Sequence, residues 1–251
     1  MHLLFQCARR WRMVVTKTNP IGLVRQGSKR LRTPRRLRPS EFQRLMTELQ
    51  EPYRTMVVLA GCLGLRVGEI LGLQWRDVDL LNGRLEIQRD VYQYRVDEVK
   101  TPTSEAPLPL ARELVEILIG WRSHALFVCP GDFVFASERR TRKHPQGGGP
   151  RGDKSILRYH LQPAAKRADI GKIGWHTFRH TNATVLEQVG VRMKVAQELL
   201  RHADIQTTMN VYTGVVEEDK KAAVQQVADR MLKGLPEVPA GSLSPVRGSV
   251  H

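Results

Sequence analysis

At 251 residues the chain is long enough to bury a substantial core, either as one large domain or as one domain with appendages. Forty Lys and Arg against twenty-five Asp and Glu leave a formal charge of +15, which suits a polyanionic partner, nucleic acid being the commonest, although charge alone also fits a merely basic protein. Aromatic residues are sparse at 6%, so duplex binding through phosphates is better supported than single-strand binding on stacked rings. Cys7, Cys62 and Cys129 are odd in number, widely spaced and without a CxxC pair, which fits reduced thiols rather than a disulfide frame or a zinc site. No run approaches the ~18 to 20 apolar residues of a membrane span, and the basic start makes a poor signal peptide.

Taken in order, residues 3–15 place Leu4, Cys7, Ala8, Trp11, Val14 and Val15 at helical spacing until Asn19-Pro20 ends the pattern. Residues 25–38 are rich in Lys and Arg and contain no acid, the composition of a basic linker. Ser40, with Gln43 three residues on, reads as the cap of the helix that opens the main domain. Two helices follow, one from Pro52 to Gly61 and one from about Arg66 to Leu73, joined through Gly61-Cys62-Leu63-Gly64. A cation at a helix N-terminus opposes the macrodipole, so Arg66 asks for a compensating anion, either Glu69 one turn on or a ligand phosphate.

Leu85 to Ile87, Val91 to Val96 and Val99 alternate as strands of a small antiparallel sheet do, and Lys100 falls at its last strand or turn. Residues 111–122 form an amphipathic helix and Phe133-Val134-Phe135 a short buried segment. Residues 138–151, dominated by Arg, Lys, Gly and Pro, read as a mobile basic loop that does not pack, and residues 155–168 return to helix. In Gly174-Trp-His-Thr-Phe-Arg-His a new helix sets His176 and Arg179 three residues apart on one face, where they could hold an anion. Gly190 offers that helix a stop, a second helix over Val195 to Leu200 leads to His202, and a short third stretch leads to Tyr212. Val216 to Leu232 reads helical with one apolar face, and the Pro/Gly/Ser-rich end from Leu235 reads as disordered.

His176-x-x-Arg179-His180, Leu199-Leu200-x-His202 and Thr207-Thr208-x-x-x-Tyr212-Thr213 together resemble the C-terminal signature of the tyrosine recombinases, the phage integrase family. Upstream, Gly64-Leu65-Arg66-Val67-Gly68-Glu69-Ile70-Leu71-Gly72-Leu73-Gln74-Trp75-x-Asp77 is similar to the family's first arginine block. The likeness covers roughly residues 39 to 225. It implies a mainly α fold with a small antiparallel β-sheet, that of the DNA breaking-rejoining catalytic domain. It also implies an organisation in which residues 1–38 are the last helix of a core-binding domain plus a basic linker, 39–234 the catalytic domain and 235–251 a disordered tail. The resemblance implies further helices ahead of the first.

The same resemblance implies a catalytic set of Arg66, Lys100, His176, Arg179, His202 and Tyr212, with Glu69 and His180 in support, His180 buried and bonded to backbone or to Glu69. The chemistry suits those residue types. Two guanidinium forks match two non-bridging phosphate oxygens, and a phenol of pKa about 10 needs its proton accepted, which His176 would do. The departing 5′ oxygen needs a proton, which Lys100 would supply, while His202 would bond a non-bridging oxygen. Histidines beside arginines rather than carboxylates do not form a metal-ligand pattern, so no metal, ATP or other cofactor is expected. The implied partners are double-stranded DNA and further protomers, in a homotetramer on paired sites with the Val216–Leu232 helix docked in trans, in the cytoplasm at the nucleoid.

Three positions depart from the family pattern: Arg201 stands where glycine usually precedes the second histidine, Gly214 where histidine often follows Tyr-Thr, and Glu105 where a hairpin residue is often basic. A type IB topoisomerase and a noncatalytic DNA-binding remnant of a mobile element remain the competing readings.

Overall fold

The computed structural model describes residues 2–14, 16, 19–20, 35–98 and 107–201. Lys100, Glu105, His202, Tyr212, Gly214, the helix expected over Val216–Leu232, the tail from Leu235 and the basic stretch 25–34 lie outside them. The chain divides into two compact units, Met1–Pro34 and Arg35–His251.

In the first unit, α1 (His2–Arg10) is shorter than its periodicity suggests. Arg12 adopts φ 57°, and Met13 N donates to Ala8 O at 2.9 Å, closing the helix in a left-handed cap before the pattern reaches Val14. Leu3, Leu4, Trp11 and Met13 are exposed.

The second unit is mostly helical. Residues 35–38, expected as linker, already belong to it: Leu37 is buried and its N–H donates to Thr181 Oγ1 at 2.9 Å. Helix α2 (Pro39–Glu48) starts with proline in its first turn, where a missing N–H costs nothing. Its cap differs from expectation. Glu41, not Ser40, closes the turn, its carboxylate accepting from Arg38 N at 2.8 Å.

Helix α3 (Tyr53–Leu63) is buried through Met56, Val57, Leu59 and Ala60 and ends on Gly64 at φ 63°, a conformation that excludes most side chains. Helix α4 (Val67–Gly72) follows directly and leads through a single 3₁₀ turn, Trp75–Asp77, into the sheet region.

The sheet is in two parts. Strands β1 (Val78–Asp79), β2 (Arg84–Leu85) and β5 (Leu108–Pro109) form an antiparallel trio in the order β1-β2-β5. Strands β3 (Arg89–Tyr92) and β4 (Arg95–Glu98) form a hairpin pairing Val91 with Val96 and Tyr92 with Arg95. Val91 to Val96, read as one strand, is therefore a turn with two flanks. Gln93 and Tyr94 take φ 47° and 63°, the two positive values of a two-residue turn of the primed type, without the Asn-Gly that usually announces it. The hairpin packs on α4, and a Cβ on Gly72 would lie 2.7 Å from Arg89 O.

Helix α5 (Arg112–His124) buries Leu114 and Leu118. Phe133, Val134 and Phe135 are buried as expected. Residues 138–151 do pack, contrary to the sequence reading. Ser137 N donates to Gly149 O at 2.7 Å, Gly148 N returns to Ser137 O at 2.8 Å, and Gly147 and Gly148 lie against the Phe127 ring. Small residues let the loop close on an aromatic face that its composition does not contain.

Helix α6 (Asp153–Ile156), a π-helical turn over Leu157–Leu161 and α7 (Gln162–Arg167) make one interrupted rod. Helix α8 (Trp175–Gln188) packs along α3 and buries Trp175, Phe178 and Ala183. It stops at Gly190, φ 73°, with Val191 N on Leu186 O at 2.9 Å. Helix α9 (Met193–Leu200) ends on Arg201 in the left-handed conformation, φ 50°, ψ 47°. Among the described residues no helix is long and apolar enough to cross a membrane.

Candidate active site

Three helix ends meet at one point: the C-terminus of α3, the N-terminus of α4 and the C-terminus of α9. Helix termini leave carbonyls and N–H groups unpaired, and here side chains from distant parts of the chain satisfy them. Arg179, one turn into α8, is buried. Its Nη1 donates to Gly64 O at 2.5 Å, and its Nη2 donates to Leu200 O. Asn182, one turn further, donates through Nδ2 to Gly61 O and Cys62 O, both at 2.9 Å. Helix α8 thus presents a row of donors that holds the end of α3 and the end of α9 together.

Arg66 caps α4 from the other side. Its backbone N–H donates to Glu69 Oε2 at 2.8 Å, its Nη1 donates to Glu69 Oε1 at 2.7 Å, and its Nη2 donates to Arg201 O at 3.3 Å. Glu69 is the compensating anion that the sequence asked for. Its side chain is 3% exposed against 42% for Arg66, so the carboxylate is inside and the guanidinium reaches the surface.

Arg201 then closes the network from beneath: its Nη2 lies 2.5 Å from Glu69 Oε2, with its side chain 1% exposed. Burial alone would raise the Glu69 carboxyl, but the charge of Arg201, the Arg66 N–H and the Arg66 guanidinium outweigh it and hold the group below the usual carboxylate range. Burial, with Arg66 and Arg201 alongside, brings Arg179 down to about 9, still protonated at neutral pH. Asp90, on β3, is pushed up by its own burial and by the charge of Glu69. Three guanidiniums therefore converge, with Glu69 bonded to Arg66 and Arg201 and with Asp90 feeling the Arg66 charge, a surplus of positive charge among the described residues whose exposed member is Arg66.

Of the sequence-predicted residues, Arg66, Glu69 and Arg179 come together. His176 stands exposed on the first turn of α8, while Arg179 on the next turn is directed inward. His180 is half-buried rather than buried, and the Glu69 carboxylate accepts from Arg66 and Arg201. Burial, then the charges of His176, Arg36 and Arg179, lower the His180 pKa. Lys100, His202 and Tyr212 lie outside the described residues. Sequence reasoning did not assign Arg201 to the site. Its departure from glycine was the available signal. Among the described residues no group of three or more His, Cys, Asp or Glu is placed to hold a metal ion.

A second basic feature lies at the other end of α3. A groove of about 640 Å³ runs between the β3–β4 turn and the 138–151 loop, with Arg95, Arg139, Arg142, Lys143 and Arg151 on its walls. At its base Tyr53 and His160 stack with ring centroids 3.7 Å apart, and Arg151 sits 5.8 Å above the Tyr53 ring.

Residues 35–218 match the model of the phage integrase family. A XerC-like tyrosine recombinase of Caldanaerobacter subterraneus subsp. tengcongensis is 31% identical over 200 residues, covering 70% of this chain and 49% of that protein. A tyrosine recombinase of Pseudothermotoga lettingae is 30% identical over 212 residues, covering 83% of this chain and 66% of its own length. The chain thus spans about half to two thirds of the length of such relatives. Among solved structures, the Tn1549 transposon integrase in complex with transposon right end DNA superposes with a TM-score of 0.63 at 18% identity, over 84% of this chain and 71% of that one. XerA recombinase does so with a TM-score of 0.57 at 21% identity, over 87% and 69%. These structural likenesses carry the fold.

Proposed function

The chain belongs to the phage integrase family, and we propose that it cleaves and rejoins DNA strands site-specifically through a 3′-phosphotyrosyl intermediate, without metal or ATP. The observation that carries this reading is the junction of Arg66 and Arg179. Residues far apart in sequence are gathered at three helix ends, with more guanidinium than carboxylate and one guanidinium open to an incoming phosphate. Such preorganised cations stabilise charge that develops on non-bridging oxygens and cost no reorganisation when it does.

In the proposed reaction the Tyr212 oxygen attacks phosphorus and gives up its proton to His176. The bond from phosphorus to the 5′ oxygen breaks, and Lys100 protonates the departing 5′ oxygen, releasing a 5′ hydroxyl. His202 bonds a non-bridging oxygen. Because the tyrosyl ester keeps the phosphodiester's energy, a second 5′ hydroxyl reverses the step on a new strand. Duplex DNA is the proposed partner, held by its phosphates along the basic surfaces. A homotetramer on paired sites, with the Val216–Leu232 helix docked in trans, is the proposed assembly, acting at the nucleoid in the cytoplasm.

The test is incubation of the full chain with a pool of nicked suicide duplexes of randomised sequence, followed by recovery of protein-linked DNA. Recovery of an enriched sequence with a free 5′ hydroxyl supports recombination. Relaxation of plasmids without such a site would instead indicate a topoisomerase, and binding without any adduct a noncatalytic remnant.

A further inference from the structure

We propose that Arg201 is a positioning residue for Arg66: by sharing the buried carboxylate of Glu69, it keeps the Arg66 guanidinium charged outward and fixed in place for phosphate. This rests on the strand-transfer reading above. Three observations carry it. The Arg201 side chain is 1% exposed and its Nη2 lies 2.5 Å from Glu69 Oε2, so its charge is spent inside the protein and not on a ligand. Its main-chain oxygen accepts from Arg66 Nη2 at 3.3 Å, so the same residue touches Arg66 through the backbone and Glu69 through the side chain. Among the described residues its buried Nε has no hydrogen-bond partner, so Glu69 takes the charge-assisted bond that its side chain makes.

A buried carboxylate facing a single arginine would neutralise it and draw it inward. With two arginines on Glu69, the pair's attraction is divided, and Arg66 retains a net pull on an external anion. The left-handed backbone at Arg201, φ 50°, is one that glycine adopts freely, so Arg201→Gly removes the guanidinium while favouring the turn and sparing the carbonyl that Arg66 uses.

The experiment is a double-substitution cycle, read as the single-turnover rate of adduct formation at saturating DNA. Wild-type adduct formation first establishes the reaction itself, and its absence would sink the strand-transfer reading rather than this inference. Arg201→Gly should then slow the wild-type background at least tenfold with DNA affinity unchanged, and slow an Arg66→Lys background by less than about twofold. Adding Glu69→Gln to Arg201→Gly should recover part of the lost rate, because the unshared carboxylate is gone. A general packing role would slow both backgrounds equally and would not be relieved by Glu69→Gln. Either equal slowing or a wild-type rate in Arg201→Gly overturns the proposal. Should Arg201→Gly fail to fold, the same cycle with Arg201→Asn, which removes the charge and tolerates the left-handed backbone, is held to the same outcomes.

Discussion

Arg179 and Gly64 meet at 2.5 Å, guanidinium to carbonyl, across the junction of α8 and α3. The contact is buried and joins the family's two arginine blocks, because Gly64 lies two residues before Arg66. Arg179 is consequently both a member of the proposed site and a structural tie, whereas Arg66 is half-open to solvent.

That difference predicts a split. Arg66→Ala and Arg179→Ala should each slow cleavage by roughly a hundredfold to a thousandfold, the cost of removing one preorganised donor. Their stabilities should diverge. Arg179→Ala leaves the Gly64 and Leu200 carbonyls without their donor and should cost on the order of 3 kcal/mol. In Arg66→Ala, Glu69 keeps Arg201, and the loss should stay below about 1 kcal/mol. Urea unfolding of both variants beside single-turnover cleavage checks this; equal destabilisation would mean that the buried tie has been misplaced.

Gly64→Ala should be among the more damaging single-methyl changes. The new Cβ would sit 2.7 Å from Leu200 Cδ2 and 2.9 Å from Asn182 Oδ1 at φ 63°, so it adds backbone strain to a clash, about 1 to 3 kcal/mol. Asn182→Ala, which strips one donor group from Gly61 O and Cys62 O, should cost about 1 kcal/mol, since both acceptors are only partly buried. Thermal unfolding reports both, and a neutral Gly64→Ala would contradict the tight junction.

Much of this junction was legible in the sequence, and the part that was not is physically distinct. Arg66 beside Glu69, Arg179 on the first turns of a helix, the glycine turn at residues 61–64 and the glycine stop at 190 are local signals, since partner and cause lie within one or two turns, although α3 runs to Leu63 rather than ending at Gly61. The Gln93–Tyr94 turn was hidden because its residues lack the usual preference for positive φ. The packing of residues 138–151 depends on Phe127, outside the segment. The pairing of Arg201 with Glu69 joins residues that only the tertiary fold brings together, so spacing alone gave no hint of it. The first unit's helix fell short for a local reason, its closure at Arg12.

Stability should fall as acid is added through the histidine range. The His180 pKa is lowered by burial and by His176, Arg36 and Arg179, and that of His160 by burial and Arg151. A histidine whose folded pKa is depressed binds its proton more readily when unfolded. Its contribution is therefore complete above the unfolded value near 6.5 and is lost as pH drops below it. The melting temperature should be lower at pH 5.5 than at 7.5, and His180→Gln should show a smaller drop over the same interval. Glu69, held low in the fold, acts in the same direction but in the window below about 4.5. An unchanged pH dependence in His180→Gln would contradict the role given to its burial.

In the proposed reaction a phosphate held at the Arg66–Arg179 junction is attacked by Tyr212. The most direct measurement is mass spectrometry of the nuclease-trimmed, protease-digested adduct from a suicide duplex, run in parallel on wild type and Tyr212→Phe. A nucleotide should appear on the peptide containing Tyr212 in the wild type, and no adduct in Tyr212→Phe although duplex binding persists. A nucleotide on any other residue, or an undiminished adduct in Tyr212→Phe, would contradict it.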